Sequence, residues 1–569
     1  VATSHHPLSV IMRITSLAVS AVAALLVPQA VVVGGSHQDS HYRSLQTTYT
    51  TYKPAGLQSG PDNLGGTFAS HVIYDPNDNT VLITGTTFGR FWQTDYEGDV
   101  TAGCFVVTVA LPSENNGDIL KFVDSGKVSS LEAHEGCSQL HHQGEKVFLA
   151  GYAESGGALE ELLNLASIVP SKQHGMVVDI DYKGAEGDVD LVGGRVLQDS
   201  AVVFPVAIEA KEWESSVYVL SMSTDDTTTN PDYNSEVDPQ RYFPYGDNFQ
   251  MTVSRLHKNG AVYEEDTVQN SLDESWTKQY STSGNGAEVY PAGMAKLTDD
   301  TLIVVGSTSG YGAAFGSTVD KGDDMDGFIT KLHPTTGAVR IDLSDPRHQS
   351  SVRIESLDNR NDLVGGMCID PTDSKYFYVV GSSDGSLNGI SSEGNARAFI
   401  MKVDTLSLVP VWTEQIQAVP REGHHSHVFG VSCAVTRDGS EVYLSGVVEK
   451  DAVLPLSGTI TSFGDDDIFI AKYSTLDGKQ SYVRQVGTAG ADSVAMRGSL
   501  TTDGLGNAIL VGNTYGSMYR ERQGNETEVA RSDLFVMTFS RASGYYEFPM
   551  EHPEYGSDVE GEVIPEAPN

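Results

Sequence analysis

Short apolar runs recur along this chain, each ending in glycine or a small residue: Val81 to Gly85, Val147 to Gly151, Val217 to Ser221, Leu302 to Gly306, Tyr376 to Gly381, Val442 to Gly446 and Ile509 to Gly512. Runs this short, rich in β-branched and aromatic residues and bounded by turn residues, predict strands buried on both faces. Before each lies another apolar stretch, joined through a tight polar turn such as Asp75-Pro76, Asp299-Asp300, Asp438-Gly439 or Asp503-Gly504. After each comes a polar connection and a third strand, such as Asp326 to Leu332, Asp467 to Lys472 or Asp533 to Thr538. That strand closes on its own tight turn, Asn259-Gly260, Thr336-Gly337 or Asp477-Gly478, before a more exposed fourth. Seven such units follow one another, and the glycines or serine ending their second strands are spaced 65 to 85 residues apart. A blade of four strands needs about 40–50 residues, so the excess belongs in loops. The tight turns should share one face of a disc, and the long second-to-third and fourth-to-next connections the other. Helical spacing occurs in Ala158 to Ala166, which predicts a short helix inserted in a loop.

One unit shows the pattern in full. Asp465 to Met518 contains D-D-D-I-F-I-A-K, the turn Asp477-Gly478, a Tyr-bearing strand, G-T-A-G-A-D, and D-G-L-G-N-A-I-L-V-G. It resembles the SBBP (seven-bladed beta propeller) repeat, whose pattern runs D-a-F-v-a-K, D-x-x-G, a Trp or Tyr strand, G-x-x-G-x-D and D-x-x-G-N-x-y-v-x-G. The resemblance implies an all-β fold, a single seven-bladed β-propeller of four-stranded antiparallel blades over residues 45–548. Its units fall at about 65–123, 137–197, 202–265, 291–343, 364–416, 428–486 and 497–548. It also implies an extracellular or cell-surface protein, and a structural role for the aspartates opening third strands, Asp326, Asp467 and Asp533. A propeller leaves exposed edges unless a terminal strand completes its last blade. Thr47 to Tyr52 and Tyr545 to Phe548 are the two candidates for that strand.

Charge and cysteines narrow the setting. Among 569 residues, 36 Lys and Arg face 76 Asp and Glu, a formal charge of −40 with no basic stripe. This argues against nucleic acid or anionic membrane as a partner and leaves extracellular protein, glycan or cations, calcium above all. Residues 12–35 carry one Arg, an apolar run and small residues, the pattern of a secretory signal peptide. Residues 1–11 read as upstream sequence, and 549–569 as an acidic tail. The apolar run reaches almost to Val33, so an uncleaved signal anchor is the alternative to a secreted monomer. In an oxidising compartment the four cysteines predict disulfides. Cys104 and Cys137 fall in adjacent units, as do Cys368 and Cys433, and 104–137 with 368–433 is the only connectivity that joins neighbours.

Candidate chemistry is sparse. Asp323, Asp324 and Asp326, and Asp465, Asp466 and Asp467, cluster hard oxygen ligands before third strands, but lack the spacing of a twelve-residue calcium loop. Calcium ligation and the capping of strand ends are both open. His424, His425 and His427, with His134 and His174, fall on the long-loop face and offer imidazoles to a transition metal. Asn525 opens the single N-x-T sequon, in the long loop of the seventh unit. There is no H-E-x-x-H motif. No catalytic residue or cofactor is assigned. The chain reads as a non-catalytic binding or adhesion scaffold presenting loops to protein or glycan. The alternative is a propeller hydrolase or lyase acting on polysaccharide. Two or more carboxylates at the channel mouth with an Arg or His would favour the enzyme.

Overall fold

The computed structural model describes residues between 55 and 545. Residues 1–54 and 546–569, the connections 60–65, 88–102, 112–120, 129–134, 155–172, 225–248, 265–274, 317–323, 390–394, 420–425, 456–462 and 517–531, and several shorter gaps lie outside the description. The signal segment, the Ala158 to Ala166 helix, Thr47 to Tyr52, the acidic tail, Asp323, His134, His424, His425 and Asn525 therefore fall outside the described residues.

After β1 (Ala55–Ser59), blade 1 is β2 (Thr67–Asp75), β3 (Thr80–Thr87), β4 (Gly103–Ala110) and β5 (Lys121–Val128). Blade 2 is β6 (Glu135–Gln143), β7 (Lys146–Glu154), β8 (Gln173–Tyr182) and β9 (Val189–Leu197). Blade 3 is β10 (Val202–Ala210), β11 (Ser216–Thr224) and β12 (Gln250–Asn259), with its fourth strand split into β13 (Val262–Glu264) and β14 (Trp276–Tyr280), both paired to β12. Blade 4 is β15 (Val289–Lys296), β16 (Leu302–Thr308), β17 (Asp326–Leu332) and β18 (Ser351–Ile354). Blade 5 is β19 (Asp362–Ile369), β20 (Tyr376–Ser383), β21 (Arg397–Asp404) and β22 (Pro410–Ile416). Blade 6 is β23 (Val428–Val435), β24 (Glu441–Val448), β25 (Asp467–Ser474) and β26 (Gln480–Val486). Blade 7 has a divided first strand, β27 (Asp492–Val494) and β28 (Leu500–Thr502), then β29 (Ala508–Thr514) and β30 (Asp533–Phe539).

Within every blade the pairing is antiparallel and sequential. The first strands neighbour one another in a closed ring, β2, β6, β10, β15, β19, β23, β28 and back to β2, around a central channel. The ring is sealed by β1, which pairs antiparallel to β30 from Ala55 opposite Thr538 to Ser59 opposite Leu534. Of the two candidates, Thr47 to Tyr52 and Tyr545 to Phe548, the N-terminal side is the one used, by a strand a few residues beyond Thr47 to Tyr52. It removes the edge that β30 would otherwise expose.

The hydrophobic core is divided among the junctions. Each of the seven buried clusters draws mainly on two neighbouring blades, from Val81 and Phe105 with Ile509 and Val536 at the junction of blades 7 and 1, to Tyr443 and Ile470 with Leu510 and Phe535 at that of 6 and 7. Second and third strands are buried along nearly their whole length, which is why they read as unbroken apolar runs. Their terminal glycine has a packing reason. A Cβ on Gly446 would lie 1.8 Å from the Phe429 carbonyl oxygen and 2.7 Å from the Phe469 ring, and Gly85, Gly306, Gly381 and Gly512 meet the same two neighbours in their own blades.

Adjacent blades are locked on the tight-turn face by the residues that recur in the repeat. The third-strand lysine reaches the next blade's turn: Lys331 Nζ donates to Leu406 O at 2.7 Å, Lys402 to Thr475 O at 2.9 Å, and Lys472 to Arg541 O at 2.5 Å. The fourth-strand aromatic packs on that same type of turn. Trp276 lies on Gly337, Trp412 on Gly478 and Tyr482 on Gly544, glycines with φ of 62°, 72° and 75°. Only glycine combines that backbone with a flat surface for a ring. The Nε1 of Trp276 and Trp412 also donate to Pro334 O and Thr475 O, at 3.0 and 3.3 Å. At the junction of blades 4 and 5 the turn carries Leu408 at φ 55° in place of the glycine, and its buried side chain joins the cluster that Val352 packs against.

The loop expectation holds for one connection type and not the other. Second-to-third connections run 13 to 25 residues in every blade, whereas fourth-to-next connections run only 4 to 11. The reason is steric: each first strand must start beside the third strand of the blade before. Thr67 N, Val289 N, Asp362 N, Val428 N and Asp492 N each donate to the carbonyl just ahead of that third strand, at 2.6 to 2.9 Å.

Replacing Trp412 with Ala should lower stability by about 2 kcal/mol, because a half-buried indole and its hydrogen bond are lost together. Chemical denaturation measures it, and a change below about 1 kcal/mol would remove the turn-docking account. Deleting residues up to Ser59 should lower the melting temperature and promote association through the bared β30 edge. An unaltered melt would show that closure does not depend on β1.

Candidate functional site

Both predicted disulfides form. Cys104, second in the third strand of blade 1, bonds Cys137 on the first strand of blade 2, with Cα atoms 5.1 Å apart. Cys368 and Cys433 join the first strands of blades 5 and 6, Cα atoms 5.7 Å apart. There the two inner strands approach so closely that a Cβ on Gly365 would lie 2.4 Å from the Gly430 carbonyl oxygen, and one on Gly430 would lie 2.5 Å from the Gly381 carbonyl oxygen.

The aspartates before the third strands are engaged mostly with protein. Asp326 opens β17 and pairs with Arg353 Nη1 at 3.0 Å, while Asp324 is half-buried. Asp465 pairs with Lys450, and Asp466 Oδ1 accepts from Lys450 N at 3.1 Å. Asp467 Oδ2 accepts from Gln485 Nε2 at 2.7 Å and Phe463 N at 3.1 Å. Its other oxygen abuts Gly487, where a Cβ would come within 2.0 Å. The last glycine-rich segment reads accordingly: Gly487 makes room for Asp467, and Asp492 accepts from Thr488 N at 2.6 Å. Among the described residues no three of His, Cys, Asp and Glu are arranged to hold a metal ion. His174 is buried in β8.

A second set of polar residues converges where β20 and β24 emerge on the long-loop face. Asp384 follows β20, Glu449 follows β24, and His427 precedes β23, so the loops of blades 5 and 6 supply one cluster. His427 Nδ1 accepts from Ala396 N at 2.8 Å, which places the proton of the neutral ring on Nε2. Nε2 faces Glu449 Oε2 at 3.9 Å, and the His427 N–H donates to the same carboxylate oxygen at 3.4 Å. On the other side Asp384 lies within electrostatic reach of His427 and of the exposed Arg360. Asn361 Nδ2 donates to Asp384 at 3.5 Å. Burial pushes the Asp384 carboxyl above its ordinary value, against the opposing pull of Asn361, His427 and Arg360. Ser426, beside His427, is buried, and its N–H donates to Asn395 Oδ1 at 3.3 Å.

Reading the sequence singled out His427 but missed Asp384, Glu449 and Arg360. A signal for two of them was present: each carboxylate stands three residues beyond the glycine ending a second strand, Gly381 and Gly446. That is the point at which the buried strand surfaces on the long-loop side.

The junctions on either side of this cluster carry buried carboxylates. Burial raises Asp362 to about 7, against hydrogen bonds from Ser383 and Ser356, and raises Asp492 to about 7 against Thr514 and Thr488. Asp466 rises to about 7 and Asp467 to about 6, again through burial first.

No protein-family model matches the sequence, and no curated protein matches it either. Among solved structures, an ulvan lyase from a family of polysaccharide lyases is 9% identical, with 86% of this chain and 97% of that chain covered and a TM-score of 0.38. An α-L-arabinofuranosidase from Fusarium graminearum is 11% identical, with 74% and 97% covered and a TM-score of 0.36. The haemagglutinin-neuraminidase of parainfluenza virus 5 is 9% identical, with 77% and 94% covered and a TM-score of 0.30. These are likenesses of chain fold, and the functional reading below rests on the site itself.

The four raised aspartates hold their protons more tightly folded than unfolded, where aspartate titrates near 4. Stability should therefore rise as pH falls from about 8 through 7 toward 5. Asp345, held down to about 2 by its bond to Arg347, loses its contribution only at lower pH. Melting temperatures across this range check the sign, and Asp492→Asn should flatten the slope. Stability that instead declined steadily from pH 8 to 5 would show that these carboxylates fold ionised.

Proposed function

We propose that the protein is a propeller enzyme that cleaves glycosidic bonds in a neutral polysaccharide outside the cell, working at the channel mouth between blades 5 and 6. The observation that carries this reading is the half-buried Asp384 carboxyl beside His427 and Arg360, with Glu449 across the imidazole. Glycoside hydrolysis needs one carboxyl that keeps its proton and a second that is free to act as base or nucleophile. Asp384, raised by burial, is the general acid that protonates the leaving glycosidic oxygen. Glu449 is the second carboxylate, and the Nε2 proton of His427 faces it. The Cys368–Cys433 bond fixes the spacing of the two blades that carry these groups.

A neutral substrate follows from charge: a protein at −40, with carboxylates around the site, repels anionic chains. Work outside the cell accords with the two disulfides and with the signal-like segment at 12–35. Among the described residues, no helix is long and apolar enough to cross a membrane.

Reducing-end release from a panel of neutral polysaccharides tests the reading. Asp384→Asn and Glu449→Gln should each lower kcat by about 100-fold or more without changing the melting temperature. The wild-type rate should fall as pH rises through the elevated pKa of Asp384, because the general acid loses its proton. If glycans bind but none is cleaved, or if neither substitution alters turnover, the non-catalytic binding scaffold is the better reading.

A further inference from the structure

The two carboxylates of the cleft occupy the same position of the repeat, and so do the two side chains beside them. Asp384 and Glu449 each stand three residues past a second-strand glycine, and Asn361 and His427 each stand one residue ahead of a first strand. The backbone joins both pairs alike: Asp384 N donates to Asn361 O and Glu449 N to His427 O, each at 3.0 Å. In blades 4 and 7 the same bond runs from Ser309 N to Glu288 O and from Tyr515 N to Ala491 O, so there a serine and a tyrosine stand where blades 5 and 6 carry their carboxylates.

The side chains repeat the match. Met325 and Ala396 each lie just ahead of the third strand of the preceding blade, and their N–H groups donate to Asn361 Oδ1 at 3.0 Å and to His427 Nδ1 at 2.8 Å. With its acceptor atom engaged in this way, each side chain must present its donor atom on the other side. Asn361 Nδ2 faces Asp384 Oδ2 at 3.5 Å, as His427 Nε2 faces Glu449 Oε2 at 3.9 Å. Amide and imidazole therefore have one geometry, accepting from the blade before and pointing an N–H at the carboxylate of their own blade. They differ in that an amide does not titrate, so the partner of Asp384 is a donor at every pH.

We propose that Asn361 is the positioning residue of Asp384: its Nδ2 hydrogens hold Oδ2, so that the proton delivered to the leaving glycosidic oxygen resides on Oδ1. This rests on the reading of the cleft as a glycan-cleaving site. The N–H at Oδ2 also favours the carboxylate over the acid, which opposes the effect of burial and keeps the proton transferable. Through Met325 the acid is referred to the third strand of blade 4, a rigid element outside the pair of blades that carries the two carboxylates.

The experiment uses the full-length protein and the neutral polysaccharide that the wild type cleaves fastest. Asn361→Ala should lower kcat about tenfold and leave KM within about twofold. The alkaline limb of its rate profile should move to higher pH, because a carboxyl deprived of the donor holds its proton more tightly. Asn361→His, which installs the side chain that blade 6 carries at this position, should restore kcat. A lower melting temperature with kcat and the alkaline limb unaltered would mark Asn361 as structural and overturn the proposal while the proposed function stands, and so would a loss of kcat that Asn361→His does not restore. NMR titration of the isotopically labelled Asp384 carboxyl needs no substrate. It should titrate at higher pH in Asn361→Ala than in the wild type, and an unchanged titration overturns the pairing by itself. A wild type that cleaves no polysaccharide overturns the acid role together with the proposed function, whatever that titration shows.

Discussion

The constraint on which this molecule depends is that no blade can bury its own faces. A single four-stranded sheet has two apolar sides, and here each side is covered only by the next blade, in seven separate clusters. The fourth-strand aromatic, the positive-φ glycine of the following turn and the third-strand lysine form one docking device, seen in Trp412, Gly478 and Lys402 meeting Thr475 and its turn. Stability is then a property of junctions, as in other repeat arrays, but with the ends joined. Closure through β1 turns seven junctions into a ring and leaves no blade at a terminus.

The same device separates structure from function in space. Tight turns and lysine contacts dominate one face, and the second-to-third loops, long in every blade, lie on the other, although the β4–β5 and β17–β18 connections are also extended. The junction of blades 5 and 6 departs from its neighbours on the long-loop face. Blades 4 to 5 and 6 to 7 place aspartates at the starts of the third and first strands, Asp326 with Asp362 and Asp467 with Asp492. Blades 5 to 6 place Arg397 and Val428 there. That junction is held instead by the Cys368–Cys433 bond and by glycines that let the strands nearly touch. At the loop end of the same junction Asp384, His427 and Glu449 gather.

The chain by itself determined the strands, their grouping in seven blades, the tight-turn face and the disulfide pairing, because these follow from local periodicity and turn chemistry. A buried strand must be apolar along its length, a turn at positive φ must be glycine or pay for it, and cysteines in adjacent blades are the ones within bonding reach. Only the tertiary structure decided which segment closes the ring, since Ala55–Ser59 carries no pattern that marks it as an outer strand, and its selection depends on the bare edge of β30. Only the tertiary structure could show that Asp467 and Asp492 are buried and serve the junction, or that Asp384 and Glu449, 65 residues apart in sequence, meet around one imidazole. An aspartate looks the same in sequence whether it faces water, a neighbouring amide or another carboxylate, and its proton affinity is set by which of these the folded ring places beside it.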